Sequence, residues 1–428
     1  MSSLHTPATH TAFSYHNHKL YCEDMALHTW FQKFDRPVYV YSKKQILANA
    51  SAWTQALSYP KDQAFFAVKA NPCRGILELL HTQNLGFDTV SIGEVRRALR
   101  AGAQPEKILF SGVGKSKNEL REAIRLGLLS INIESQEEIL RLRKLAQEEG
   151  KITRISFRCN PDVDAHTHPY ISTGLKTNKF GLPIEQVKEL FTYARQSPWL
   201  HPIGLSCHIG SQITEVAPYL DAVDHLITLI QRLESQGELL DYLDIGGGLG
   251  IAYSDDITPP TPQELIGAVR QRIQNAGLTH LGILAEPGRS IVGNAGALLT
   301  RIEYIKKTPR KNFCIVNASM TEMIRPAMYQ ARMRIVPLEQ KDIPEQIYDI
   351  VGPVCETSDF LGKNRLLRIQ EDDTLAILDA GAYGASMASQ YNSRPLPSEY
   401  LIDKNHSIPL QRHCWRDMLK NEHSLKKI

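Results

Sequence analysis

The chain has 428 residues, of which 42% are hydrophobic, enough for one large domain and a smaller one. Its 49 basic and 46 acidic residues leave a formal net charge of +3, so charge gives no reason to expect nucleic acid or an anionic membrane as a partner. No run approaches the roughly 18 apolar residues of a membrane span. The seven cysteines are scattered and include no Cys-x-x-Cys pair, which favours a reducing cytoplasm over a disulfide framework or a zinc site.

The N-terminal residues 1–18 are rich in His, Ser and Thr and have no apolar core, so they do not resemble a secretory signal. The four histidines of this segment could be a metal-binding tract, but a solvated tail is the favoured interpretation. These histidines are His5, His10, His16 and His18. Two short strand-like runs follow, at 20–22 and 38–41, and are expected to pack with a β domain formed later in the chain.

From about residue 43, short β-rich runs alternate with helical patterns. The eight candidate strands are 64–68, 87–90, 108–111, 129–133, 154–158, 204–208, 242–245 and 281–285. Helical segments are predicted at 93–101, 117–126, 135–149 and 215–235, and Ser116 with Glu119 forms a capping-box pattern before the second of them. Eight alternating units with right-handed crossovers predict an α/β fold, a closed (β/α)8 TIM-like barrel over residues 36–296.

After residue 296, strand-like runs recur without long helices, at 297–305, 312–316, 347–351 and 375–378. This pattern predicts a second, mainly β domain built from 297–428 together with 1–35. No internal repeat is apparent.

Polar residues and glycine gather where the predicted barrel strands end: Lys69, Ser91, Asn160, His208, Gly246 and Glu286. Barrel active sites lie at this edge, where the strands lead into their following loops. Ordinary loop polarity would explain any one of the six, but less easily all of them.

Lys69 closes the apolar run Phe66-Ala67-Val68 at the end of the first strand. A buried lysine is costly unless it is neutralised or used covalently, and a neutral amine is suited to Schiff-base chemistry. Taken alone, a lysine that extends its amine to solvent is at least as good an explanation.

Three further motifs follow strand ends. The loop Gly246-Gly247-Gly248-Leu249-Gly250 lets backbone N–H groups approach a phosphate, although a tight turn explains a lone glycine run equally well. In Glu286-Pro287-Gly288-Arg289, the carboxylate could keep a pyridine nitrogen protonated, or the segment could be a structural turn with a surface ion pair. In His208-Ile209-Gly210-Ser211-Gln212, the imidazole could stack on a planar cofactor, or be an ordinary core histidine.

These motifs, in this order, resemble the fold-type III pyridoxal-phosphate decarboxylases, and the diaminopimelate decarboxylases among them most closely. The resemblance extends from about residue 41 to 402 and includes the run Ala67 to Asn71, residues 173–181, Gly352-Pro353-Val354-Cys355-Glu356 and Asp379-Ala380-Gly381-Ala382-Tyr383. It departs from the family at Thr357-Ser358, where Ser-Gly is usual, and at Phe66, where Tyr is common. The serine in place of glycine puts the backbone beside Glu356 in question.

The resemblance implies pyridoxal 5′-phosphate as cofactor, no metal, and a homodimer with shared active sites. Lys69 would carry the cofactor as a Schiff base, His208 would stack on its ring, and Glu286 would pair with the pyridine nitrogen. The other implied cofactor-binding residues are Asp88, Ser211, Gly247, Gly248, Gly288, Arg289 and Tyr383. Cys355 and Glu356 would enter the site from the neighbouring chain, and Cys355 would return a proton to the substrate carbon after carbon dioxide leaves.

The implied substrate, meso-diaminopimelate, ends in an amino-acid head with both a carboxylate and an ammonium. Arg289 and Arg325 offer bidentate carboxylate binding, and Glu356 offers a partner for the ammonium. Tyr329 and Tyr383 can add hydroxyl bonds. The alternative for Arg325 is an arginine that only packs between domains.

Three other functions compete with decarboxylation of diaminopimelate. An ornithine- or arginine-type decarboxylase would have an acidic distal pocket without the arginines. An alanine-racemase-like enzyme of the same barrel would place an arginine at the pyridine nitrogen, which Glu286 argues against. A non-catalytic regulator of a decarboxylase would lack the lysine or the proton-donor cysteine, and both Lys69 and Cys355 are present.

Overall fold

The computed structural model describes residues 12–163 and 178–424, which divide into two compact units. The barrel unit comprises 47–163, 178–252 and 257–291, and the sheet unit comprises 12–46, 253–256 and 292–424. His5, His10 and residues 173–177 of the loop motif lie outside the described residues. Within the described ranges, no helix is long and apolar enough to cross a membrane.

In the described part of the barrel unit, eight parallel strands close on themselves, and they are numbered here from first to eighth along the chain. They are Gln63–Ala67, Gly86–Thr89, Ile108–Phe110, Ser130–Ile133, Thr153–Asn160, Leu200–Cys207, Tyr242–Asp244 and Gly282–Ala285. Each pairs in parallel with its neighbours in chain order, the eighth pairs with the first, and Leu182–Pro183 adds a two-residue strand beside the fifth. The predicted TIM-like barrel is therefore confirmed.

Helices follow the strands in alternation. They are Arg74–His81, Ile92–Arg100, Lys117–Leu126, Gln136–Glu149, Ile184–Arg195, Ala217–Glu234, Pro262–Asn275 and the short Arg289–Val292, while Lys43–Ala56 precedes the first strand. The predicted capping box is present, because Ser116 accepts from the Glu119 N–H and the Glu119 carboxylate accepts from the Ser116 N–H. Five of these helices were not anticipated: Lys43–Ala56, Arg74–His81, Ile184–Arg195, Pro262–Asn275 and Arg289–Val292.

The barrel strands are buried over most of their length, as expected for a parallel sheet covered on both faces. Phe65, Leu109 and Leu284, from the first, third and eighth strands, form one apolar cluster. Because all eight strands run in the same direction, their carboxyl ends meet at one rim, which the loops after the strands surround.

The sheet unit confirms the second, mainly β domain. Its main sheet follows the order Phe360–Leu367, Gln346–Val351, Asn312–Val316, Gly296–Lys307, Val38–Ser42, Ser398–Asp403 and His406–Gln411. Thr374–Ile377 also pairs with Gly296–Lys307, and Ile335–Pro337 pairs with Thr374–Ile377. The strand Val38–Ser42 thus joins the C-terminal strands, as its sequence led us to expect.

The N-terminal residues 13–18 differ from the solvated tail that the sequence predicted. Phe13–His16 pairs antiparallel with Lys19–Cys22, which continues to Met25–Ala26. Phe13 is buried in the same apolar cluster as the helix Leu27–Phe31, and this burial outweighs the polar composition around it. The tail interpretation is therefore wrong for these residues. His16 and His18 lie at the exposed turn, and the described residues contain no cluster of potential metal ligands.

Candidate functional site

The rim of the barrel unit brings the predicted strand-end residues together. Asn160 ends the fifth strand, and His208 and Glu286 directly follow the sixth and eighth. Lys69 lies in the 3-10 turn Val68–Ala70, and Gly246 follows the seventh strand by two residues. Parallel strands place these positions at one edge of the barrel.

Two of the six strand-end residues have structural partners that account for them. Ser91 is the N-cap of the helix Ile92–Arg100, where its hydroxyl accepts from the Glu94 N–H. Asn160 donates its side-chain amide to the Phe180 carbonyl. The hydrogen bonds of Ser91 and Asn160 therefore explain why these two positions are polar.

The Lys69 amine faces a buried acid. Its Nζ lies 3.5 Å from Oδ2 of Asp88, whose side chain is fully buried. The other oxygen, Oδ1, accepts from Ser111 Oγ at 2.8 Å, and Ser111 Oγ accepts from Asn132 Nδ2 at 3.0 Å. A carboxylate in this position needs such partners, because burying a charge without them is costly. Ser111 and Asn132 were not anticipated, because hydrogen bonds between strands have no local sequence signal.

Glu286 belongs to a pair of buried carboxyl groups. It donates a hydrogen bond to Asp244, whose Oδ1 also accepts from the Gly246 N–H at 2.8 Å. Burial and the nearby Asp88 charge raise the pKa of Asp244 to about 7, against the lowering effect of these two hydrogen bonds. Burial, followed by the charges of Asp244 and Asp88, raises the pKa of Glu286 well above its usual range. At neutral pH the pair therefore retains a proton, which resides on Glu286.

Asp244 is the main residue of this rim that the sequence interpretation missed. The available signal was an acidic residue in the last position of an apolar strand, immediately before the glycine loop. Such a residue is expensive there unless it has donors or shares a proton.

The loop of residues 246–250 requires glycine at three successive positions. A Cβ at Gly246 would lie 2.3 Å from the Cys207 carbonyl oxygen, and one at Gly247 would lie 2.2 Å from that of Glu286. Gly248 has a φ of +102°, and its Cβ would lie 2.3 Å from the Gly210 carbonyl oxygen.

Hydrogen bonds fix the glycine loop from its other side. The Gly248 carbonyl accepts from the Ile213 N–H, the Gly247 carbonyl accepts from the Tyr219 hydroxyl, and Gln212 bonds Ile251 in both directions. Among the described residues, no hydrogen bond uses the Gly248 N–H. A backbone donor presented in this way suits an anion.

His208 is held as a neutral imidazole with a defined tautomer. Its Nδ1 accepts from the Gly247 N–H at 3.1 Å, so the ring proton resides on Nε2. Burial, with the charges of Lys69 and Arg158, lowers the pKa of His208 well below its usual value.

The segment that follows the eighth strand packs against the Lys69 turn. The Pro287 carbonyl accepts from the Ala67 N–H, and a Cβ at Gly288 would lie 3.0 Å from that of Ala70. The buried Arg289 donates from Nη2 to Ser211 Oγ at 2.9 Å. The predicted phosphate-binding residues of the barrel unit therefore lie beside one another.

The remaining predicted residues belong to the sheet unit. Arg325 is buried, its guanidinium lies 4.7 Å from the ring centroid of Tyr253, and it begins the short helix Arg325–Tyr329. Tyr383 has a φ of +56°, a conformation that costs energy for a tyrosine and is enriched at functional sites.

The Gly352–Asp359 loop, on the same unit, carries Cys355 and Glu356. Cys355 is exposed, and Glu356 Oε1 accepts from the Tyr391 hydroxyl at 2.8 Å. The buried Asp359 carboxylate accepts from the N–H groups of Met320 and Val354, which ties the loop down. Ser358, the departure from the family motif, has no positive φ, so glycine is not required there.

Comparisons with known proteins identify the family to which the chain belongs. Residues 43–293 match the family model described as "Pyridoxal-dependent decarboxylase, pyridoxal binding domain". The diaminopimelate decarboxylase of Pseudomonas aeruginosa is 46% identical over 94% of this chain and 95% of its own length.

Two solved structures are also similar to this chain. The diaminopimelate decarboxylase of Helicobacter pylori complexed with L-lysine has 39% identity and a TM-score of 0.86, covering 92% of this chain and 98% of its own. That of M. jannaschii in co-complex with L-lysine has 31% identity and a TM-score of 0.92, covering 98% and 99%.

Proposed function

The chain belongs to the pyridoxal-dependent decarboxylases of fold-type III and, within them, to the diaminopimelate decarboxylases, and from this premise we propose how its residues act. The protein is a carboxy-lyase that converts meso-2,6-diaminopimelate to L-lysine and carbon dioxide, the last step of bacterial lysine biosynthesis, with pyridoxal 5′-phosphate as cofactor. The proposed site rests mainly on one observation: the Lys69 amine, the buried Asp244–Glu286 pair and the glycine loop of residues 246–250 all lie at one rim of the barrel.

The residues at the rim fit the cofactor. Lys69 offers an amine for its aldehyde, and Glu286 offers a carboxyl group for its pyridine nitrogen. The Gly248 N–H, Ser211 and Arg289 offer donors for its phosphate, with Gly247 and Gly288 as further members of the cradle. We also assign Tyr383, of the sheet unit, to the phosphate, from the family resemblance. The neutral His208 ring is suited to stacking on a flat aromatic group.

When bound, the cofactor supplies an electron sink for the carbon that loses its carboxylate. The chain supplies orientation and charge. We propose that Glu286, which is hydrogen-bonded to Asp244, shares a proton with the pyridine nitrogen of the cofactor. Asp88 orients the Lys69 amine, and the Ser111 hydroxyl orients Asp88.

Recognition of the distal amino-acid head is assigned to charged and hydroxyl side chains. Arg289 and Arg325 would bind its carboxylate, with hydroxyl bonds from Tyr329 and Tyr383. Glu356, like Cys355, would come from a second copy of the chain and would bind its ammonium. The contact of the Arg325 guanidinium with the Tyr253 ring supports this assignment, because a guanidinium that is already held in place loses less freedom when it binds a carboxylate.

We assign Cys355 as the group that returns a proton to the substrate carbon after decarboxylation. Its exposure on the described chain is compatible with reaching the site of a second copy, so we propose a homodimer with shared active sites. All seven cysteines are free, which supports a reducing, cytoplasmic setting.

The competing functions are less well supported. Ornithine and arginine have no distal carboxylate, so Arg289 and Arg325 would have no substrate group to bind. A non-catalytic regulator would not need both Lys69 and Cys355. One assay tests the function: release of carbon dioxide from meso-diaminopimelate, ornithine, arginine and lysine, with and without added pyridoxal phosphate. Release from diaminopimelate that depends on the cofactor is expected, and a preference for any of the other three amino acids would contradict it.

A further inference from the structure

The tyrosine that bonds Glu356 comes from a separate part of the sheet unit. Tyr391 begins the 3-10 turn Tyr391–Ser393, 35 residues along the chain from Glu356, and its hydroxyl donates to Glu356 Oε1 at 2.8 Å. Two partly exposed side chains lose conformational freedom to form this contact, so a scaffold that presents both of them must offset that cost.

We propose that Tyr391 is a specificity-determining positioning residue, which holds the Glu356 carboxylate in the orientation that binds the distal ammonium of the substrate. This inference rests on the proposed function and deepens it, because the sequence motifs contain Glu356 but not Tyr391. Tyr391 acts through Glu356 and is not itself assigned a contact with substrate.

A buried turn, residues 319–322, supports both partners of this hydrogen bond. The Met320 N–H donates to Asp359 Oδ1 at 2.6 Å, and Asp359 Oδ2 accepts from the Val354 N–H at 2.7 Å. The Asp359 N–H in turn donates to the Glu356 carbonyl at 3.0 Å. The backbone at Glu356 is thereby tied to the turn.

The same turn holds the Tyr391 segment on both sides. The Ser389 N–H donates to the Thr321 carbonyl at 2.9 Å, and Arg394 donates to Thr321 Oγ1 at 3.2 Å and to Glu322 Oε1 at 3.1 Å. Glu322 is itself buried, and its other oxygen accepts from the Ser319 N–H and hydroxyl. The segments that carry Glu356 and Tyr391 are both hydrogen-bonded to the turn of residues 319–322. The fold therefore sets the distance between these two side chains, and their contact is not a chance meeting at the surface.

The Tyr391 hydroxyl stays protonated at neutral pH and therefore remains the donor of the bond to Glu356. The hydrogen bond to Glu356 and its negative charge, with a smaller contribution from Cys355, raise the pKa of Tyr391 above its ordinary value. The phenol therefore keeps its proton, and Glu356 remains the acceptor.

The test compares Tyr391→Phe with Tyr304→Phe in the cofactor-loaded enzyme. Tyr304 is an exposed tyrosine of the same unit, on the strand Gly296–Lys307. Loss of one hydrogen bond to a charged group should raise KM for meso-diaminopimelate about tenfold in Tyr391→Phe, with kcat changed by less than about twofold. Tyr304→Phe should match the unaltered enzyme, and the visible absorbance of bound cofactor should be the same in all three.

Two further measurements separate positioning from a merely structural role. In a Glu356→Gln background, Tyr391→Phe should add less than about a twofold change in KM, because its partner charge is gone. With 2-aminopimelate, which keeps the distal carboxylate but lacks the distal ammonium, the variant and the unaltered enzyme should have the same KM.

Three results would overturn the proposal: an unchanged KM in Tyr391→Phe, an equal effect in the Glu356→Gln background, or an equal effect on 2-aminopimelate. Loss of cofactor absorbance in Tyr391→Phe would also overturn it, because it would assign the residue to the cofactor site. If the unaltered enzyme does not act on diaminopimelate, the proposed function itself has failed, which distinguishes that outcome from the others.

Discussion

Asp244 has a pKa in the folded protein that differs strongly from the pKa of an ordinary aspartate. Burial and the charge of Asp88 raise its pKa, while hydrogen bonds from the Gly246 N–H and the protonated Glu286, together with the charge of Arg158, lower it. Its pKa of about 7 in the folded protein is above the ordinary value of 3.8, so the folded state binds more protons than the unfolded state between those values. The contribution of this pair to stability is therefore present below about pH 4 and is lost as pH rises towards 7.

Asp244→Asn should reduce this pH dependence. In the cofactor-free protein, the free energy of unfolding should fall as the pH rises from 5 to 7.5, and the acid pair should account for on the order of a few kcal/mol of that fall. In Asp244→Asn the fall should be smaller. Asparagine keeps an acceptor for the Gly246 N–H, so the loop should persist.

Thermal unfolding at the two pH values measures the effect of Asp244→Asn. Asp241→Asn is the matched control, because Asp241 lies three residues earlier and pairs with Lys61 at the exposed surface. An equal pH slope in Asp244→Asn and in the unaltered protein would show that the two acids do not share a proton.

Sequence reasoning identified residues with a chemically distinctive group in a motif and missed those that act through them. Lys69, Glu286 and the glycine loop stand at strand ends, where their residue types are conspicuous. Asp244 and Tyr391 depend on partners 42 and 35 residues away in the chain, and such pairings follow from the fold rather than from local composition.

At the scale of elements, the glycine loop is the part of the barrel least tolerant of a side chain. Gly248→Ala would place a Cβ against the Gly210 carbonyl at a positive φ, so the loop must shift. We expect a loss of more than about 1 kcal/mol of stability and at least a tenfold weaker affinity for pyridoxal phosphate.

Gly267→Ala is the matched control for the glycine loop. Gly267 lies in the helix Pro262–Asn275, and a Cβ there meets nothing within 4 Å. This control should be neutral or stabilising by about 0.5–1 kcal/mol. Titration of both cofactor-free variants with pyridoxal phosphate measures the difference, and an unchanged affinity in Gly248→Ala would remove the loop from the phosphate site.

The barrel strands could be predicted to within a few residues because each is an apolar run bounded by turn signals. The N-terminal hairpin could not, because its polar residues resemble a tail, and its burial depends on a cluster that includes Leu299 and Ile402, far along the chain. Short strands such as Ile335–Pro337 also lack enough residues to form a pattern.

At the scale of the whole molecule, the proposed shared active site has a quantitative consequence. Mixing Lys69→Ala with Cys355→Ala under conditions that exchange subunits should form hybrid dimers in which one site carries both defects and the other carries none. Random pairing of equal amounts makes half of the dimers hybrid, so about a quarter of the unaltered activity should return. Activity that stays at the level of the separate variants would mean that each chain completes its own site.

The central claim is that the Lys69 amine holds the cofactor beside Glu286. Reduction of the cofactor-loaded enzyme with borohydride, followed by digestion and mass spectrometry, locates the lysine that carries the pyridoxyl group. We predict that the group is found on Lys69 and is absent from Lys69→Ala, which should also lack the visible absorbance of bound cofactor. A pyridoxyl group on another lysine, or visible absorbance that persists in Lys69→Ala, would contradict the account.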